Sequence, residues 1–262
     1  MIPKFFGDAD RQLFGIYHAP APAEARDVGV VLCHAGPHEY RHTYWSFRRL
    51  AGLLAKAGLH VLRFDYGGTG DSTGDLTTES LGAWARDVRT AARELKELAG
   101  TRRLSLVGMR LGAVVAAHAA ADGLRVDDLV LWEPVVRGST YLAQLDALEE
   151  DRLIQLRYPQ FAERVPGEIL GYSLDEASRA ELAAVDLSTG GVGTPKRAVI
   201  VASAPVPANE ELRRAMEAAG IPATLQVVDD PAVRGGEAIA GTLLAQSSLQ
   251  EIVQSLSARR AG

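Results

Sequence analysis

An arginine occupies the position at which the local sequence pattern would place a nucleophile. Gly108 and Gly112 flank Arg110, after the mainly apolar run 104–107 and before the alanine-rich segment 113–121. A strand, a tight turn between glycines and a helix form a nucleophile elbow, whose central side chain is exposed for attack on an acyl carbon. A guanidinium stays protonated and cannot be that nucleophile. The pattern therefore predicts an elbow that presents a fixed positive charge.

Two interpretations of Arg110 follow from its expected place at the floor of a pocket. The free N–H groups and dipole of the helix N-terminus already favour anions, and a guanidinium adds a bidentate fork for a carboxylate or phosphate, so Arg110 could clamp an anionic ligand. Alternatively, it forms an internal ion pair with Glu133, which ends a neighbouring strand at the same edge of the sheet. We favour the internal pair, because an unpaired buried charge is strongly destabilising. Both hold if ligand binding rearranges the pair.

Cys33 and His34 end an apolar strand that faces the same crevice. A cysteine and a histidine can form a thiolate nucleophile, but adjacent strand residues point to opposite faces, so Cys33 is predicted to be a core residue. The polar run 38–42 is predicted to be a solvated loop with one or two side chains in the pocket. No second cluster of ligands accompanies this run, so no metal site is predicted.

The remaining candidates are weaker. Asp65 opens a glycine-rich turn and is predicted to hold that turn through backbone N–H groups. The spacing of this turn fits neither a dinucleotide fingerprint nor a phosphate-binding loop. Ser72 and Ser139 are the candidate displaced nucleophiles, although neither has an evident histidine base. Trp132 and Tyr141 are predicted either to line an apolar pocket or to pack in the core.

These residues require an alternating set of strands and helices to position them. After an N-terminal hairpin (4–6 and 12–17), the pattern predicts a mostly parallel sheet with helices on both faces, hence an α/β fold. The chain, 1–262, is read as one domain, and the more polar helical segment 140–190 is read as a cap inserted into it. Apolar runs predict strands at 28–33, 60–65, 104–107, 128–133, 198–202 and 224–228, and helical spacing predicts helices at 45–57, 79–98, 113–121, 208–219 and 237–257.

Composition excludes several classes of protein. The 262 residues carry a net charge of −5 and one cysteine, which argues against nucleic-acid partners and against a disulfide framework. The N-terminus lacks the apolar region of a signal peptide, and no apolar run approaches the length of a membrane span. We therefore expect a cytoplasmic protein without a membrane span, without a cofactor and without a metal. A homodimer is left open.

The order of the motifs resembles the α/β-hydrolase superfamily, closest to its serine-aminopeptidase-like branch, over nearly the whole chain. The turn 65–72 matches the pattern Asp-x-x-Gly-x-Gly-x-Ser, and the elbow matches except for its serine. Segments 108–113, 131–136 and 171–174 are more narrowly similar to the arginine-elbow group known as exosortase-system-associated hydrolases. The resemblance implies an α/β-hydrolase fold with a small helical cap, and it transfers no reaction.

The resemblance also implies an oxyanion hole and a missing triad. Backbone N–H groups of Leu111 and of the loop His34–Ala35–Gly36 would bind the oxyanion, and Glu133 or His34 would carry the proton. A serine triad needs a histidine in the loop after the last strand, yet no histidine follows His118. With the serine also absent, we expect that Ser-His-Asp chemistry has been abandoned.

Two functions remain open on this reading. The first is an atypical enzyme that acts on an acyl or carboxylate-bearing small molecule, by ester or thioester hydrolysis, acyl transfer or cofactor-free lyase chemistry, with Arg110 as the anion clamp. The second is a non-catalytic binding or scaffold protein of a biosynthetic pathway. We favour the enzyme, because the motifs of the oxyanion loop and the glycine turn are retained.

Overall fold

The computed structural model describes residues 1–155, 165–230 and 245–258. Within these residues, eight strands form one sheet in the order β1-β2-β4-β3-β5-β6-β9-β10. The first two strands are antiparallel, and all pairs from β4–β3 to β9–β10 are parallel. The strands are β1 Ile2–Asp8, β2 Arg11–His18, β3 Val28–Cys33, β4 His60–Phe64, β5 Arg103–Met109, β6 Asp128–Trp132, β9 Arg197–Ala202 and β10 Ala223–Val227, with the separate hairpin β7 Glu168–Ile169 and β8 Tyr172–Ser173.

Helices cover both faces of the sheet, as the alternating pattern predicted. The central strand β3 is buried at every residue, as expected for a strand between two helical layers. One apolar core lies under the helices α1 and α7, and the other lies under α2, α3 and α6. The helices are α1 Pro37–Lys56, α2 Leu81–Ala99, α3 Leu111–Ala121, α4 Gly138–Ile154, α5 Glu176–Ala183, α6 Pro207–Ala218 and α7 Gln246–Ser257.

Helix α1 begins eight residues earlier than the periodicity predicted, at Pro37 instead of about residue 45. Proline suits the first helical position because its φ angle is preset and its missing N–H would be unpaired there. The acidic Glu39 in the first turn adds a favourable interaction with the helix dipole. The interpretation of 38–42 as a solvated loop was therefore wrong, and these side chains project from a helix.

The segment expected to form a cap lies between β6 and β9. Its described parts are α4, the β7–β8 hairpin and α5, which we call the cap segment. The hairpin was not predicted, because two-residue strands show no periodicity. Glu181 of α5 fixes the segment to α2, accepting hydrogen bonds from Leu81 N at 3.1 Å and Gly82 N at 3.3 Å. The predicted break at Pro159 lies outside the described residues.

Candidate functional site

The elbow is a sharp bend between β5 and α3. Arg110 has φ 52° and ψ −118°, a left-handed conformation that is strained for a residue with a Cβ atom. A Cβ atom on Gly112 would lie 2.1 Å from the His34 carbonyl oxygen, and one on Gly108 would lie 2.3 Å from the Gly112 carbonyl oxygen. The two glycines are therefore required by close packing of strand and helix, as the motif predicted.

The Arg110 guanidinium is held by two neighbouring helices. Its Nε donates to Glu39 Oε1 at 2.9 Å, and its Nη2 donates to Gln144 Oε1 at 3.2 Å. The guanidinium carbon lies 5.2 Å from the centre of the Tyr141 ring. Burial lowers the pKa of Arg110, but Glu39 and Tyr141 more than offset this and raise it above its ordinary value. Arg110 is therefore a permanent cation with an internal partner.

That partner is Glu39 of α1, whereas the sequence had suggested Glu133. The Glu133 carboxylate instead accepts a hydrogen bond from the backbone N–H of Ser203, which ties β6 to the loop after β9. Glu133 has φ 45°, and burial raises the pKa of its carboxyl above the ordinary value. The early start of α1 explains the difference, because it brings Glu39 to the elbow.

His34 and Trp132 are core residues, which corrects their proposed places in the pocket. The His34 ring is 1% exposed and lies 4.2 Å from the Phe47 ring and 4.9 Å from the Tyr40 ring. Neither ring nitrogen has a hydrogen-bond partner in the described residues, and burial lowers the pKa of His34 to about 3. Trp132 is fully buried, and its ring lies 5.9 Å from that of Phe47. Burial removes His34 from the candidate proton carriers.

A cleft lies between the N-terminus of α2 and the cap segment, and the empty space in it, together with the solvent at its mouth, is about 650 Å³. Of the residues predicted to bind substrate, Leu111 and Tyr141 line it, whereas Ala35 and Gly36 do not. Arg110 and Glu133 are not among its lining residues either. Ala35 is buried, and Gly36 precedes α1, where an added Cβ atom would lie 3.1 Å from the Tyr141 hydroxyl. The walls are mainly apolar and include Leu76, Leu81, Trp84, Leu145, Ile169, Leu174 and Leu182, with His38, Glu79, Ser80, Ser173, Ser178 and Glu181 as polar members.

Sequence reasoning placed one or two side chains of the run 38–42 in the pocket but assigned no role to His38 or Glu39. The Tyr141 hydroxyl donates to Glu39 Oε2 at 3.2 Å and lies 3.5 Å from His38 Nε2. His38 Nε2 lies 3.8 Å from the same carboxylate oxygen. Burial lowers the pKa of His38, while Glu39 opposes this change. Pro37, a strong sign of a helix start, was the signal that would have placed both side chains on a helix facing the elbow.

The other candidate nucleophiles are accounted for by the fold. Cys33 is fully buried, and burial raises the pKa of its thiol to about 12. The Ser72 hydroxyl donates to the Asp65 carbonyl oxygen at 2.6 Å and accepts from Phe14 N at 2.8 Å. Ser139 is exposed on α4. Asp65 accepts a hydrogen bond from Asp71 N at 3.1 Å, so its predicted role in holding the glycine turn is confirmed.

The described part of the chain contains no group of histidine, cysteine, aspartate or glutamate side chains arranged to hold a metal ion. None of its helices is both long and apolar enough to cross a membrane.

The sequence matches known proteins over most of its length. Residues 25–204 match the family model described as serine aminopeptidase, S33. The human protein ABHD12B is 38% identical over 117 residues, which are 43% of this chain and 31% of that protein. The aligned stretch thus spans less than a third of the curated relative.

Solved structures share the fold at low sequence identity. Est1E of Butyrivibrio proteoclasticus, solved with ferulic acid bound, has a TM-score of 0.65 at 17% identity, and the match covers 97% of this chain and 96% of that protein. The esterase PF2001 of Pyrococcus furiosus has a TM-score of 0.65 at 15% identity, over 98% of this chain and 91% of its own. These matches establish a common α/β-hydrolase architecture.

Proposed function

Because the chain belongs to the serine aminopeptidase S33 family of α/β-hydrolases, we propose that it is an enzyme that hydrolyses an ester or thioester of a small molecule without a serine nucleophile. The observation that carries the proposal is the convergence of an apolar cleft on the first residue of α3. Leu111 lines the cleft and directly follows Arg110 in the chain, so a substrate in the cleft meets a helix N-terminus with a cation next to it, although the Arg110 side chain is not itself among the lining residues.

The start of α3 supplies a donor for an oxyanion. Leu111 is the first residue of the helix, and its N–H makes no hydrogen bond within the described residues. An N–H group at a helix N-terminus favours negative charge on a bound oxygen. As a carbonyl carbon accepts a nucleophile, charge develops on its oxygen, and a donor fixed in place stabilises that charge without reorganisation.

Arg110 contributes its charge to the same region. Nε and Nη2 are used by Glu39 and Gln144, which leaves Nη1 without a partner among the described residues. The side chain is 28% exposed, so an oxygen of a substrate carboxylate or of the developing oxyanion can reach it. Arg110 is thus proposed as an anion clamp that retains its internal pair.

The lining of the cleft indicates the chemistry of the substrate group that lies next to the ester or thioester bond. Leucine, isoleucine and aromatic side chains form most of the surface, and the two carboxylates present already have partners. Glu79 is paired with Arg11 at 2.6 Å, and Glu181 caps α2. An apolar acyl or aromatic group fills such a surface with the largest gain from burial.

The test is turnover of a series of p-nitrophenyl esters and acyl thioesters of increasing chain length by the purified full chain. We expect turnover above that of heat-denatured protein, with kcat/KM rising from acetyl to longer acyl groups. A fluorophosphonate should neither label nor inhibit the protein. Arg110→Ala should lower kcat/KM by about 100-fold, since that is the usual effect of losing one oxyanion donor.

Arg89→Ala is the matched control, because Arg89 forms an exposed ion pair with Asp122 in a different part of the chain. Its kcat/KM should stay within about twofold of the unmodified protein, as expected for a surface pair. Absence of turnover with every ester and thioester would contradict the proposal.

A second candidate function is a non-catalytic binding protein. It is favoured by one observation: the Arg110 charge is already neutralised by Glu39, as in a structural ion pair. If the protein only binds ligands, the apolar esters bind in the cleft and are not hydrolysed. Calorimetry detects this binding.

A further inference from the structure

We infer that His38 is the general base and general acid of this site, and that Glu39, held by Arg110 and Tyr141, is the residue that positions it. This inference rests on the proposed function and names the proton carrier that the function lacks, since His34 is buried in the core and Glu133 accepts a hydrogen bond from Ser203 N.

The first observation is the position of the imidazole ring. His38 lines the cleft together with Leu111. Both residues begin helices at the carboxyl edge of the parallel sheet, His38 in the first turn of α1 and Leu111 in the first turn of α3. A water molecule bound in the cleft can therefore contact His38 while the substrate carbonyl oxygen contacts the Leu111 N–H.

The second observation is the orientation of the ring nitrogens. Nε2 faces the Tyr141 hydroxyl at 3.5 Å and Glu39 Oε2 at 3.8 Å. Nδ1 has no hydrogen-bond partner within the part of the chain that the structure describes. A proton on Nε2, favoured by the nearby carboxylate, leaves the lone pair of Nδ1 to accept the proton of water.

The third observation is that Glu39 itself is fixed. Its two carboxylate oxygens accept hydrogen bonds from Arg110 Nε at 2.9 Å and from the Tyr141 hydroxyl at 3.2 Å. A carboxylate held from two sides presents a constant charge to the imidazole. This arrangement repeats the logic of a base oriented by an acid, although its residues come from α1, the elbow and α4.

The reaction balances with water as the only co-substrate. Nδ1 takes a proton from water while the water oxygen bonds to the carbonyl carbon, and the carbonyl electron pair moves onto its oxygen, which the Leu111 N–H binds. When this adduct collapses, the bond from carbon to the leaving oxygen or sulfur breaks, and the imidazolium returns the proton to the leaving group. The products are a carboxylic acid and an alcohol or thiol, and His38 ends neutral.

Several charged and titratable groups lie near His38. Glu39 and His42 lie on its own helix, Arg110 on the elbow and Tyr141 on α4, and Glu79 and Glu181 line the same cleft. The net effect of burial and of these neighbours is to lower the pKa of His38, so the neutral, basic form predominates at neutral pH. A base of this kind loses activity as the pH falls through its pKa, which here lies below the ordinary value of about 6.5.

The test compares His38→Gln with His42→Gln in the full chain, using the best ester found above. His42 lies one turn further along α1 and serves as the matched control. His38→Gln should lower kcat at least about 100-fold with little change in KM, and should remove the acidic limb of the pH profile of kcat/KM. Added imidazole should restore part of the activity. His42→Gln should retain the rate and the limb, with the limb moved slightly to higher pH because His42 lowers the pKa of His38.

Glu39→Gln tests the positioning role. The Glu39 charge raises the pKa of His38, so its removal should move the acidic limb to lower pH. Imidazole signals of the 15N-labelled protein should show the same displacement in the absence of substrate.

Each outcome is decisive. If the unmodified protein turns over the ester and His38→Gln keeps both the rate and the acidic limb, the inference is overturned and the proposed function stands. Failure of the unmodified protein to hydrolyse any ester or thioester overturns both. Loss of the limb in His38→Gln alone, with circular dichroism matching the unmodified protein, supports both.

Discussion

The Nε–H of Arg110 donates to Glu39 Oε1 at 2.9 Å, joining the elbow to the first turn of the helix that follows β3. The two side chains are 28% and 20% exposed, so the pair is partly shielded from water. Shielding strengthens the attraction between the charges and also makes either charge costly without the other.

We therefore expect Glu39→Ala and Arg110→Ala each to lower the free energy of unfolding by about 2 kcal/mol, the scale of a lost hydrogen bond between charged groups. The double variant should be more stable than the sum of the two losses predicts, by about 1 kcal/mol or more. Urea denaturation of the four proteins measures this coupling. Strict additivity would show that the pair contributes nothing to stability.

The left-handed backbone at Arg110 leads to a separate prediction about stability. Arg110→Gly and Arg110→Ala both remove the guanidinium, but only alanine keeps a Cβ atom at φ 52°. The glycine variant should be more stable than the alanine variant by about 1 kcal/mol, because the strain of the bend exceeds the extra flexibility of glycine in the unfolded chain. Urea denaturation at neutral pH makes the comparison, and the reverse order would contradict it.

Acid should destabilise the protein through His34. Its folded pKa of about 3 is below the unfolded value, so the folded state requires the neutral ring. Above about pH 6.5 the contribution of His34 to the free energy of unfolding is complete and does not change with pH. The free energy of unfolding decreases by about 1.4 kcal/mol per pH unit as the pH falls from there toward 3. His34→Phe should reduce the slope of unfolding free energy against pH by that amount between pH 6 and 4. His18, whose pKa burial lowers to about 4, contributes to the slope that remains.

An equal slope in the two proteins would mean that His34 is solvated in the folded state. At pH 7 we expect His34→Phe to be at least as stable as the unmodified chain. The substitution removes two buried nitrogen atoms that lack partners, and the ring it introduces packs against Phe47.

Glu181 should control how firmly the cap segment is attached. Glu181→Ala removes the acceptor for Leu81 N and Gly82 N, so hydrogen exchange of these two amides should accelerate and stability should fall by about 1 kcal/mol. Glu176→Ala, at the exposed start of α5, is the matched control. If both variants exchange alike, the carboxylate does not hold the segment.

The strands were the part of the fold most readily predicted from sequence. Runs such as 28–33 are apolar throughout, because a strand between two helical layers is buried on both faces, and β3 matches its predicted bounds. The start of α1 was missed because its first two turns carry polar residues on the side that faces the cleft. Periodicity detects burial in a core, and a helix end that faces a polar site gives no such signal.

The site was only half predictable for the same reason. Gly108 and Gly112 are demanded by close backbone contacts, so the elbow and the unusual Arg110 could be identified from spacing alone. The partner of Arg110 depends on which helix terminus lies near it in space. Glu133 was predicted instead because its strand is next to β5 in the sheet. Glu39 is 71 positions away along the chain, and only the fold brings it within hydrogen-bond distance.

Arg110, at the start of α3, donates hydrogen bonds to Glu39 on α1 and to Gln144 on α4, so one side chain links three helices. A shift of α4 must therefore either break the hydrogen bond to Gln144 or move Arg110 and α1 with it. The walls of the site that α1 and α4 provide are therefore coupled through Arg110.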